Sequence, residues 1–218
     1  MIISHTHRFI FFHVAKTGGM SIRKVLQGYC QEPDHFRINR PPKLKAGQPN
    51  PFYEVWEGLL LHATARDAQK ELPREIFDSY YKFAFVRNPW DWQVSMYHFI
   101  LGDPTHVKHE QVKQLGSFAA YLNWVIATNN PYPKGATKLQ SRVLTDAQGQ
   151  LLVDFVGRYE TLVQDFAQIC DRFALTVELP HVNRSAHRDY RDYYDANTRQ
   201  LVTEHFRADI ELFRYEFE

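Results

Sequence analysis

Phe9-Ile10-Phe11-Phe12-His13-Val14 runs without a spacer into Ala15-Lys16-Thr17-Gly18-Gly19-Met20-Ser21, and this junction constrains the fold more than any other stretch of the chain. An unbroken run of large apolar residues has no polar face, as in a strand covered on both sides of a sheet. Arg8–Val14 therefore predicts a buried parallel strand. Gly18-Gly19 break it, and Ser21–Leu26 has helical character, giving a strand–loop–helix unit. The pattern returns downstream. Tyr81–Val86 is apolar on both faces; Asn88 is a good N-cap, and Pro89 suits the first turn of a helix predicted over Pro89–Leu101. Trp90, Val94, Tyr97 and Leu101 share one face of that helix and are candidate core.

Further strands are predicted at Tyr53–Leu61, ending on His62, and at Leu151–Val156. Further helices are predicted over Thr64–Leu72 with Thr64 as cap, Ser117–Ala127, Thr161–Phe173 and Thr198–Phe206. Ile210 and Phe213 are expected to pin the tail to the core, and Leu179–Tyr194 reads as irregular. Strands alternating with helices predict an α/β fold with a mainly parallel central sheet flanked by helices. The 218 residues suit one domain over 1–218. Gln31–Phe52 carries Pro33, Pro41, Pro42, Pro49 and Pro51 and predicts a long surface excursion, either a substrate-side loop or an insertion without a role.

Composition narrows the function classes. The formal net charge of +1 gives no argument for nucleic acid or a membrane surface, although a local basic cluster can still hold an anion. Cys30 and Cys170 are too few for a disulfide framework, and neither sits in a CxxC, so thiol metal binding is not expected. No convincing metal-ligand cluster stands out. The N-terminus lacks the pattern of a signal peptide, and the longest apolar runs are too short for a bilayer span, which predicts a cytoplasmic protein.

A helix N-terminus after a glycine-containing loop presents free backbone N–H groups and the positive end of the helix dipole to an anion. Here Gly18 and Gly19 permit close approach, Thr17 and Ser21 add hydroxyls, and Lys16 adds charge, so the loop could cradle a phosphate. The alternative is a tight turn with an ordinary surface lysine. The Walker A order is not met, because Lys16 precedes the glycines. Arg87 ends a central strand, on the edge where open α/β sheets bind ligands. Ser95 follows along the helix, roughly 9 Å of rise from Pro89. Arginine and serine could grip one phosphate, the guanidinium forking onto its oxygens. Alternatively Arg87 pairs with a carboxylate and Ser95 is an exposed helix residue.

Taken together, the two segments resemble the PAPS-dependent sulfotransferases, in particular the group holding carbohydrate sulfotransferases and bacterial relatives. That family has a PKTGGTS loop after its first strand and an RNPxxRxxSxYxF segment after a later one. This chain reads Ala15-Lys16-Thr17-Gly18-Gly19-Met20-Ser21 and Arg87-Asn88-Pro89-Trp90-Asp91-Trp92-Gln93-Val94-Ser95-Met96-Tyr97-His98-Phe99. Asp154–Glu160 and the tail Asp209–Phe217 also look like this group. Departures are Ala15 for proline, Met20 for threonine, and Trp92 where arginine is common.

The resemblance implies a P-loop-NTPase-like sulfotransferase fold and sulfuryl transfer from PAPS to an acceptor hydroxyl, with 3′,5′-ADP as product and no metal required. It implies that Lys16, Thr17, Gly18, Gly19, Met20 and Ser21 hold the 5′-phosphosulfate, and that Arg87 and Ser95 hold the 3′-phosphate. A late basic loop containing Arg184 would close over the nucleotide; the alternative for it is a solvated loop. Lys16 would stabilise charge at the transferring group, and His62 would be the base, with His13 and His98 as competitors. Arg158 and Glu160 are expected to form a structural pair. A carbohydrate acceptor is a family-level expectation. The rival functions are a P-loop ATP- and Mg²⁺-dependent small-molecule kinase and a non-catalytic module binding 3′,5′-ADP or PAPS.

Overall fold

The computed structural model describes residues 1–30, 63–129, 131–132, 137–180 and 188–218. The predicted strand Tyr53–Leu61, His62, the Pro-rich excursion and Arg184 lie outside the described residues. Four strands, β1 (Ile2–Ser4), β2 (Phe9–Phe12), β3 (Tyr81–Val86) and β4 (Phe155–Arg158), form one sheet in the order β1-β2-β3-β4. β1 pairs antiparallel with β2; β2, β3 and β4 are parallel, with Phe12 opposite Ala84 and Val86 opposite Arg158. Ten α-helices accompany the described part of the sheet: α1 (Gly19–Leu26), α2 (Ala65–Glu71), α3 (Arg74–Ser79), α4 (Pro89–Gly102), α5 (His109–Leu115), α6 (Phe118–Ala127), α7 (Ser141–Leu144), α8 (Leu162–Phe173), α9 (Ala196–His205) and α10 (Arg207–Phe213). None of them is long and apolar enough to cross a membrane.

The period-2 alternation of strands sorts the apolar runs onto two faces. Phe9, Phe11, Phe83 and Phe85 pack with Ile22 and Leu26 of α1 and with Leu162, Phe166 and Ile169 of α8. Ile10, Phe12, Ala84 and Val86 face the other layer, where Trp90, Trp92 and Val94 of α4 meet Tyr121 and Leu122 of α6 and Val202 of α9. Both faces are covered, so the strands read as continuous hydrophobic runs. Lys82 is the exception inside β3. Its Nζ donates to the Phe77 carbonyl at 3.0 Å and the Tyr80 carbonyl at 2.7 Å, and sits 3.1 Å from Asp154. A buried ammonium so partnered costs the strand little.

Several expectations are corrected. The N-terminus makes its own edge strand, β1, turning back at Arg8, which holds a left-handed φ of 55°. The strand expected over Leu151–Val156 sits further along, at Phe155–Arg158. Leu151 instead bridges Thr145 across a turn in which Asp146 accepts from the N–H groups of Gln148 and Gln150. Asp154 accepts from the backbone N–H of Lys82, which sets the register before Phe155 meets Phe83. Two helices lie where the sequence reading names none, α5 at His109–Leu115 and α3 directly after Pro73. α4 buries more than one face: Trp92, Gln93, Ser95 and Met96 are buried as well as Trp90 and Val94.

α7 begins against a buried carboxylate. Asp209 of α10 accepts from the backbone N–H of Gln140 at 2.7 Å and of Ser141 at 2.8 Å. Burial pushes its carboxyl up to about 6 from an ordinary 3.8. A raised folded value means that its contribution to stability is fully present below 3.8 and falls away as pH rises through about 6. Asp209→Ala leaves two buried N–H groups unpaired and is expected to cost about 3 kcal/mol. Urea melts should show the larger deficit in mild acid and a smaller one at neutral pH; a deficit independent of pH would refute the linkage.

Candidate functional site

The loops after β2, β3 and β4 all leave the same, C-terminal edge of the parallel strands. That edge is where an open α/β sheet has room for a ligand. The loop after β2 is Val14–Gly18, and its consecutive carbonyls are tied down one by one. The Thr17 hydroxyl donates to the Val14 carbonyl at 2.9 Å, the Trp92 indole N–H donates to the Ala15 carbonyl at 2.7 Å, and Arg87 Nη1 donates to the Lys16 carbonyl at 3.3 Å. Lys16 itself holds a left-handed φ of 62°, unusual for a residue with a side chain.

Glycine is required at the helix start for two different reasons. Gly18 has φ 77°, and a Cβ there would also stand 2.6 Å from Leu162 Cδ2. A Cβ on Gly19 would stand 1.9 Å from the His13 ring, which lies buried under it. The backbone at the start of α1 is thus pressed onto the sheet. α1 has no side-chain cap and no acidic residue in its first turn. Its first N–H groups and its dipole remain available to an anion, and this loop fits a phosphate on those grounds.

Thr17 is 1% exposed, and its single hydroxyl proton goes to Val14. It braces the loop, where the sequence had suggested a donor to the anion. Ser21 is half-buried and Met20 is 63% exposed, so Met20 offers the site its backbone N–H alone. The Lys16 ammonium lies 4.3 Å from the centre of the Phe99 ring. Burial, and then the positive charge of Arg87, lower its pKa from the ordinary lysine value of 10.5.

Arg87 is 4% exposed, and its guanidinium is held on three sides. Nε donates to Asp91 at 2.6 Å, Nη1 donates to the Lys16 carbonyl, and the Tyr159 ring lies 4.1 Å from Cζ. The carboxylate pairing that the sequence left open is therefore present. Ser95 is 1% exposed, not a surface residue, and its Oγ has no hydrogen-bond partner among the described residues. An orphaned buried hydroxyl on the helix that follows Arg87 fits a site with a missing polar ligand.

The backbone at Arg87-Asn88 is clamped by parts of the chain far away in sequence. The Gln140 amide spans Arg87, its Oε1 accepting from the Arg87 N–H at 2.9 Å and its Nε2 donating to the Arg87 carbonyl at 2.7 Å. Gln140 is itself held by Asp209. Glu160 accepts from the Asn88 N–H at 2.7 Å and from the Tyr215 hydroxyl at 2.9 Å, while Asn88 Nδ2 donates to the Glu216 carbonyl at 3.0 Å. The pair expected between Arg158 and Glu160 does not form. Arg158 Nη2 donates to the Phe213 carbonyl at 2.8 Å and the Arg214 carbonyl at 3.1 Å.

Of the two rival histidines, His13 packs beneath Gly19, and His98 Nε2 lies 2.8 Å from the Tyr193 hydroxyl. No group of metal-binding side chains occurs among the described residues.

Comparison with known proteins bears directly on this arrangement. A family model described as "Sulfotransferase family" matches residues 1–216. The chain belongs to the sulfotransferase family. An uncharacterized protein of Archaeoglobus fulgidus is 30% identical over 121 residues, covering 54% of this chain and 88% of that protein. The α/β architecture with its mainly parallel sheet is that of the sulfotransferase fold, and the match includes both loop segments and the tail that clamps Arg87.

Proposed function

We propose that this sulfotransferase-family chain transfers a sulfuryl group from PAPS to a hydroxyl of a carbohydrate or small molecule. The observation that carries this reading is the joining of two anion-suited segments. The Lys16 loop and Arg87 leave neighbouring parallel strands and meet through the Nη1–Lys16 carbonyl bond. A nucleotide with phosphates at both its 5′ and 3′ positions suits such a pair, and a mononucleotide with one phosphate would leave Arg87 unused.

In this reading the first-turn N–H groups of α1, with Lys16, Gly18, Gly19, Met20 and Ser21, take the 5′-phosphosulfate. Arg87 and Ser95 take the 3′-phosphate, and Arg184 closes over it. The donor supplies the sulfuryl group. The sulfur–oxygen bond to the 5′-phosphate breaks as a bond to the acceptor oxygen forms. The Lys16 ammonium stabilises the charge that gathers on the departing oxygen. His62 takes the acceptor's proton, as a neutral imidazole can. The tied carbonyls of Val14, Ala15 and Lys16 keep the loop from reorganising during that step.

Incubation with PAPS and a panel of sugar, phenol and alcohol acceptors in EDTA, followed by mass detection of sulfated product, tests the proposal. Product without Mg²⁺ is the expected result. Turnover of ATP with Mg²⁺ and none of PAPS would make the chain a kinase. Tight binding of 3′,5′-ADP without product from any acceptor would make it a binding module. His62→Ala is expected to lower turnover at least tenfold while leaving donor affinity intact; wild-type turnover would remove His62 as the base.

A further inference from the structure

Arg87 has five N–H protons in a planar fork, and the described contacts engage one on Nε and one on Nη1. The Asp91 contact is the shortest of these, at 2.6 Å, and both side chains are sheltered, at 5% and 15% exposure. Asp91 sits one helical turn beyond Arg87, so α4 fixes its position rigidly. The Tyr159 ring blocks one face of the guanidinium. Held through Nε, through Nη1 and on one face, the fork keeps two protons on Nη2 and one on Nη1 outside the described contacts.

We propose that Asp91 is a positioning residue that orients the Arg87 fork toward the 3′-phosphate; this rests on the PAPS reading above. A carboxylate so near an anion site could act in two opposed ways. It could compete with the phosphate for Arg87, or it could hold Arg87 ready. The geometry favours the second. Asp91 accepts at Nε and at neither terminal nitrogen, so the remaining Nη protons can meet a phosphate without displacing the carboxylate. An arginine on a long flexible stem would otherwise lose rotamer freedom at the moment of binding, and Asp91 and Tyr159 have removed that freedom beforehand. Asp91 also keeps a buried guanidinium neutralised while no nucleotide is bound.

Titration calorimetry with 3′,5′-ADP and with AMP, on the wild type, Asp91→Ala and Asp91→Asn, tests this. Asp91→Ala should weaken 3′,5′-ADP about tenfold and AMP less than about twofold. Asp91→Asn keeps an acceptor for Nε and should fall between wild type and Asp91→Ala. If Asp91→Ala does not fold, Asp91→Asn carries the test, with a loss of about threefold confined to 3′,5′-ADP. Unchanged or tighter 3′,5′-ADP binding in the variants means that Asp91 competes, and the inference fails. Equal weakening of both nucleotides makes Asp91 a general structural residue, and the inference fails again. A wild type that does not distinguish the two nucleotides overturns the PAPS reading itself, a different result from either variant outcome.

Discussion

Arg87→Ala should raise the Kd for 3′,5′-ADP about 100-fold while changing that for AMP by no more than about threefold. The asymmetry follows from where the guanidinium is held. Its Nη1 bond to the Lys16 carbonyl is a minor brace on the Lys16 loop, which Trp92 and Thr17 also secure. Its remaining Nη protons make the proposed 3′ contact. A charge-assisted contact to phosphate from a side chain 5% exposed is screened little by water, so its loss is costly. Arg87→Lys keeps a charge without the fork and should recover only part of the affinity. Calorimetry at fixed ionic strength reads both numbers. Equal losses for the two nucleotides would move Arg87 out of the 3′ site.

Lys16→Ala should lower kcat by about 10²–10³ with a much smaller change in donor affinity. The ammonium is not committed to a carboxylate among the described contacts; it rests against the Phe99 ring and is free to swing to a developing negative charge. Burial and Arg87 lower its pKa, so in the free enzyme Lys16 loses its proton at lower pH than an ordinary lysine at 10.5. The sign of the pH effect follows. The alkaline limb of kcat/KM should fall below 10.5, because the proposed mechanism uses the charged form and its pKa is depressed. The same limb should be missing from the residual rate of Lys16→Ala. A limb that persists unchanged in that variant would assign it to another group.

Much of the candidate site is legible in the chain alone because its parts are local. A strand, a glycine turn and a helix start occupy consecutive residues, and their chemistry follows from backbone donors and a macrodipole. Arg87-Asn88-Pro89 is legible for the same reason: Asn88 caps α4 by accepting from the N–H groups of Trp90 and Asp91, as its sequence position implies. What the sequence missed has few local signals. α3 buries Phe77 alone, and α5 buries only His109 and Val112, too little apolar periodicity to announce a helix. β4 was displaced because its start depends on Asp154 meeting Lys82, a partner 72 residues earlier. Trp92, a departure from the family pattern, proved to be a hydrogen-bond donor to the Ala15 carbonyl.

The sequence by itself determined the alternating α/β order, the glycine loop with Lys16, and the arginine at the end of β3, since each is written in adjacent residues. Only the tertiary structure decided how they act together. Gln140, Glu160, Asp209 and Tyr215 converge on the Arg87-Asn88 backbone, Asp91 and Tyr159 fix the guanidinium, and Ser95 is buried with a hydroxyl that has no partner among the described residues. The physical reason is that buried polar groups must find partners, and the partners that satisfy them are chosen by proximity in the folded chain and not by spacing along it.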